Sequence, residues 1–220
     1  MALESSRRST DRASLAVAGL LLLSLFPVIG GVVQLGEVPA TAGTRPVVSS
    51  VAAVAHIIGM TVYCLLGAFQ FSPALRRRYR WHRAAGRLLL PTGFVAASSG
   101  AWLALFFTGP LDQLPLAMVR LVFAAAMILF LSLGTAALAR RDFVRHGEWM
   151  TRAYAIGVGN GTQALVVILW TVPLGDVDAW GETWLVAAGT LITAVVAEVL
   201  VRRRDRRRGR AGSARAALVS

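Results

Sequence analysis

The chain contains no lysine. All 23 of its basic residues are arginine. It has one cysteine, Cys64, which rules out an intrachain disulfide and any paired-cysteine metal or redox motif. Three histidines, His56, His82 and His146, are all the imidazole the chain has for acid–base or metal chemistry. Acids are few, 11 against 23 bases. No phosphate loop, GxSxG elbow or HExxH helix occurs, so nothing in the sequence supports a nucleotide-driven pump or an ordinary hydrolase.

What the chain has in quantity is apolar length. The apolar fraction is 56% and the mean hydropathy +0.62, yet the formal charge is +12. Soluble domains hold roughly 45–50% apolar residues. High hydropathy and high charge coexist here because they alternate along the chain, which is the pattern of a polytopic membrane protein. The arginines lie in segments flanking apolar runs, which points to lipid headgroups and excludes nucleic acid as a partner. A guanidinium fork pairs well with phosphate, so anionic lipid headgroups are expected at the Arg-rich turns.

Six apolar runs of a length that spans roughly 20 residues predict transmembrane helices at about 13–36, 46–70, 88–108, 116–139, 153–173 and 183–201. The fold class is therefore an all-α membrane bundle. Residues 1–13 form an N-terminal segment, 14–201 the six-helix domain and 202–220 a basic tail. Arg7-Arg8 is followed by Thr10 and Asp11, which breaks a twin-arginine signal. Ala40-Thr41-Ala42 resembles a signal-peptidase site, but the apolar run before it exceeds the roughly 7–15 residues of a signal peptide, so it is expected to be retained.

Orientation follows from the arginines. The N-terminal segment holds Arg7, Arg8 and Arg12, residues 76–87 hold six, Arg140, Arg141, Arg145 and Arg152 cluster next, and the tail holds eight. The alternate turns carry Arg45 alone, with Glu37, Asp112, Asp176, Asp178 and Glu182. Both termini are expected in the cytoplasm. The six tryptophans fall near the ends of the runs, as in an interfacial belt.

His56 lies about 10 residues into the second helix, near the middle of a hydrocarbon core about 30 Å thick. An ionisable group there is a functional candidate. Depth counting places Met127 on helix four and Gln163, with Asn160 beside it, on helix five near the same level. His56 with Met127 opposite is one arrangement for haem b, since His/Met ligation occurs in cytochromes. His56 hydrogen-bonded to Gln163 or Asn160 is the structural alternative. No second histidine reaches that depth, which excludes a bis-histidine haem. Arg120, about four residues into helix four, either snorkels to headgroups or offers a fixed cation to an anionic or quinone-like ligand. His82 and His146 share the Arg-rich end and, with Glu148, could bind a metal; each imidazole could equally bind a phosphate or a helix-end carbonyl. Glu198 has Arg202 at i+4, an ordinary helical ion pair.

Three functions remain open on these residues. They are a non-catalytic membrane component with a protein partner, a haem- or quinone-binding redox protein, and a small proton-coupled carrier.

Several stretches carry a resemblance when taken in order: His56, then GAFQF at 67–71, HRAAGR at 82–87, Arg120 after a Pro-containing turn, and RRDFVRHGEWMTRAYA at 140–155. Together they resemble the bacterial membrane family known as domain of unknown function 2306, over about 50–160. His56, Gln70, His82, Arg83, Gly86, Arg87, Arg120, His146, Trp149, Met150 and Arg152 match its motifs. The resemblance implies a multi-pass topology. The family's activity is unassigned, so it implies no reaction.

Overall fold

The computed structural model describes the backbone of residues 2–41, 47–72, 74–75, 78–106 and 109–217. It describes side chains over 14–36, 49–72, 74–75, 78, 80–106, 109–210 and 213. Arg7, Arg8, Arg12, Glu37, Arg45, Arg76, Arg77 and Arg215, which entered the orientation argument, lie outside the described side chains.

Six long α-helices account for the described chain: α1 (Ala2–Thr41), α2 (Val47–Gln70), α3 (Tyr79–Leu105), α4 (Leu114–Ala139), α5 (Phe143–Leu174) and α6 (Ala179–Ala217). A short 3-10 turn, Leu111–Gln113, leads into α4. There is no strand among the described residues. All six helices are long and apolar enough to cross a membrane. Leu22, Ile29, Val122, Leu169 and Val195 are each more than half exposed. A water-soluble bundle would not leave so many large apolar side chains uncovered, whereas a bilayer covers them.

Helices α2 to α5 form the centre. The buried cluster is drawn from them alone: Met60, Tyr63, Cys64 and Ala68 on α2; Leu89, Ala96 and Ala97 on α3; Met127 and Leu131 on α4; Ala153, Tyr154, Ile156 and Val158 on α5. α1 packs against α2 and α5, and α6 against α5 and α4.

In lipid, helices gain little by hiding apolar surface from one another, so close backbone approach is what holds them. The glycines of α5 show how this is done. A Cβ at Gly157 would meet the Tyr63 ring on α2 at 3.1 Å, one at Gly159 would meet Thr190 on α6 at 3.1 Å, and one at Gly161 would run into the Leu23 carbonyl on α1. Alternate residues of a helix point some 200° apart, so one short glycine run serves three different neighbours. On α2, Gly59 lies against the backbone of α3, where its Cβ would be 3.2 Å from Ala96 N and from Thr92 O.

Four helices outrun the apolar stretches expected of them, α1 by starting at Ala2 rather than 13 and ending at Thr41 rather than 36. α3 starts at Tyr79 rather than 88, so HRAAGR lies on a helix and not in a turn. α5 starts at Phe143 rather than 153, with Asp142 as its N-cap: the carboxylate accepts from Arg145 N at 3.0 Å. α6 continues through the arginines to Ala217, so residues 202–217 are helical rather than an irregular tail.

The α4–α5 connection is correspondingly tight. Arg141 has φ 59°, its N–H donates to Leu138 O, and Asp142 N–H donates to Ala137 O. This is a Schellman ending with arginine in the left-handed position usually held by glycine.

Candidate functional site

His56 sits on α2 facing α3. Its Nδ1 lies 2.8 Å from the Ala96 carbonyl oxygen. A carbonyl only accepts, so Nδ1 carries the proton, and in the neutral ring Nε2 carries the lone pair. The ring occupies space that a side chain at residue 100 would need: a Cβ on Gly100 would be 2.9 Å from His56 Cε1. Ala96 and Gly100, one turn apart on α3, thus form a seat for the imidazole.

His146 repeats the device at the Arg-rich end. On α5, its Nδ1 donates to Gly134 O of α4 at 2.9 Å. Gly134 also admits the Met150 side chain against its backbone. Tyr154, one turn further along α5, donates its hydroxyl to Cys64 O at 2.8 Å. Its ring lies over Phe71 (centroids 4.9 Å apart) and beside Tyr63 (5.9 Å).

The other expected partners of His56 are distributed differently. Gly93 brings Tyr63 and Leu131 to one level. Met127 is packed in the central cluster. Gln163 turns to α6, donating Nε2–H to Thr190 Oγ1. Its backbone is so close to α6 that a Cβ on Gly189 would be 2.5 Å from Gln163 Cα. Asn160 is half-buried on α5, one turn from Ile156. Arg120 lies on the exposed surface of α4 and is within electrostatic range of both His56 and Glu182.

His82, His146 and Glu148 are not gathered into a three-ligand set. No group of three His, Cys, Asp or Glu residues fit to hold a metal occurs among the described residues. Glu148 pairs instead with Arg208 of α6 at 3.7 Å. Gln70, in the GAFQF stretch, has both amide atoms buried and without a hydrogen-bond partner among the described residues.

A cluster of charges between α5 and α6 is not legible from spacing. Arg152 of α5 donates Nε–H to Glu198 Oε2 of α6 at 2.9 Å. Arg202 takes the other oxygen, Oε1, at 2.7 Å. The Arg152 guanidinium also lies 4.7 Å from the centre of the Trp149 ring, and that ring stacks on Phe130, centroids 5.7 Å apart. Phe130, Trp149, Arg152 and Glu198 line a cavity of about 320 Å³ together with Ile156 and Ala194. The sequence pairs Glu198 with Arg202 on its own helix; the cross-helix partner, 46 residues away, carries no periodic signal. Trp149 also departs from the belt expected of the tryptophans, facing this cavity while Trp102, Trp170, Trp180 and Trp184 are exposed.

The family described as "Predicted membrane protein (DUF2306)" matches residues 53–201. The chain belongs to the DUF2306 family. The match takes in the stretch from His56 on α2 to Glu198 on α6, and leaves α1, Arg202, Arg208 and the rest of the end of α6 outside it. It also reaches some 40 residues beyond the stretch over which the motifs carry the resemblance. No curated protein matches this DUF2306 chain, and no solved structure does.

Proposed function

We propose that the chain is a non-catalytic component of the bacterial inner membrane, an assembly, scaffold or regulatory subunit, with both termini and the Arg-rich end in the cytoplasm. One observation carries this reading. Four polar side chains inside the bundle fasten helix to helix: His56 to Ala96, His146 to Gly134, Tyr154 to Cys64 and Gln163 to Thr190. The chain's charge is instead collected on α6, where Arg202, Arg203, Arg204, Arg206, Arg207, Arg208 and Arg210 are exposed on a helix that leaves the apolar span. Rigid cationic helices of this kind recognise acidic partners or anionic headgroups.

Crosslinking in native membranes tests the proposal. A defined protein partner should be captured by the wild-type chain and lost when Arg206, Arg207 and Arg210 are replaced by Gln. Recovery of the chain alone in both cases would count against it.

A second reading is favoured by the His56 tautomer. Imidazoles that ligate a metal commonly donate the other ring N–H to a carbonyl, as His56 does to Ala96. Arg120 supplies a cation within electrostatic range. In that reading His56 is the axial ligand of haem b or a hydrogen-bond partner of a quinone. An absorption spectrum of purified protein with no Soret band, before and after haem supplementation, would remove the haem version.

A further inference from the structure

The cavity between α4, α5 and α6 has its polarity ordered along the membrane normal. Arg152 and Glu198 face each other at one level. Ile156, four residues after Arg152, and Ala194, four before Glu198, lie about 6 Å deeper on their respective helices. Glu198 in turn is one helical turn from Arg202, the first of the exposed arginines. The cavity therefore opens at the edge of the headgroup layer and runs inward from charge to hydrocarbon. Phe130 and Trp149 wall the headgroup side.

The charges have a sign. Arg152 and Arg202 share the Glu198 carboxylate, and Glu148 and Asp205 nearby are met by Arg208, so the positive balance comes from the further arginines of α6, Arg203, Arg204, Arg206, Arg207 and Arg210. Both oxygens of Glu198 are engaged, which leaves little for an incoming cation. Arg152 spends its Nε–H on Glu198, and its planar fork has further N–H groups suited to a phosphate. At about 320 Å³ the cavity is at the lower end for a small-molecule site, enough for a headgroup and the start of one chain.

We propose that this cavity is a binding site for an anionic phospholipid of the leaflet at the Arg-rich end. Arg152 holds the phosphodiester, Trp149 and Phe130 flank the glycerol region, and the first part of an acyl chain lies along Ile156 and Ala194. Glu198 is a positioning residue: it fixes the guanidinium against Trp149 and does not contact the lipid. The proposal deepens the reading of an Arg-rich face on anionic lipid, but it depends on neither a protein partner nor on which side is cytoplasmic.

Native mass spectrometry of the detergent-purified full chain tests it, with phosphatidylglycerol and phosphatidylcholine added in parallel. One phosphatidylglycerol should be retained with an apparent Kd about tenfold below that for phosphatidylcholine. Arg152→Gln should bring the two lipids to the same level. Ala194→Phe fills the chain side and leaves every charge in place; it should weaken phosphatidylglycerol retention while the circular-dichroism melting curve stays close to wild type. Millimolar inorganic phosphate should not displace the lipid. Equal retention of the two lipids by wild type would overturn the proposal. So would unchanged phosphatidylglycerol retention in Ala194→Phe, the variant that decides if Arg152→Gln fails to fold. Displacement by inorganic phosphate alone would show a phosphate ion site rather than a lipid site. Recovery of the wild-type chain with no crosslinked protein partner, with lipid retention intact, would strike only the function proposed above.

Discussion

Gly100 has no room for a methyl group. Gly100→Ala would drive its Cβ to 2.9 Å from the His56 ring and force the imidazole off the Ala96 carbonyl. Unfolding in detergent should show a loss of about 1–3 kcal/mol, typical of overpacking a tight site. Stability equal to wild type would mean that the ring is not seated there. Tyr154→Phe removes one hydrogen bond, to Cys64 O, and should cost about 0.6 kcal/mol, the average for such bonds between membrane helices. Ser132→Ala, whose hydroxyl bonds only to Ile128 O on its own helix at an exposed position, is the control expected to change nothing measurable. At this scale the sequence was partly legible. Depth could be counted. Direction around the helix could not, because it depends on which neighbour each face meets; Gln163 shares a stripe with Gly159, and that stripe faces Thr190. The Arg152–Glu198 pair was hidden for the same reason.

The α4–α5 hairpin offers two changes of opposite sign. Asp142→Ala removes the N-cap of α5 and should destabilise by about 1 kcal/mol. Arg141→Gly relieves a left-handed backbone at φ 59° and should stabilise by about 1 kcal/mol. Thermal melts of the two variants in one detergent would check both; two shifts of the same sign would deny the capped, left-handed turn. Element existence was legible because each apolar run has bilayer length. Element ends were not. Hydropathy reports where lipid stops, but backbone hydrogen bonding does not stop there, and arginine is a good helix former. Hence α3 and α5 begin nine or ten residues before the apolar stretch, and α6 continues some sixteen beyond it.

For the molecule as a whole, the arginines that end α4 and α6 and those that begin α3 and α5 lie at one end of the bundle, while Asp112, Asp176, Asp178 and Glu182 lie at the other. That segregation was the most legible feature of the chain, since it needs only counting. It carries the proposed orientation, the headgroup-facing cavity and the cationic α6 helix alike. It is tested most directly by labelling intact cells with a membrane-impermeant maleimide. Cys64 is buried and has to be replaced by Ala first, so that single cysteines report alone. Cysteines at Asp112 and Asp176 should label in intact cells, while those at Arg145 and Arg206 should label only after the membrane is opened. Labelling of 145 and 206 from outside, with 112 and 176 protected, would contradict it.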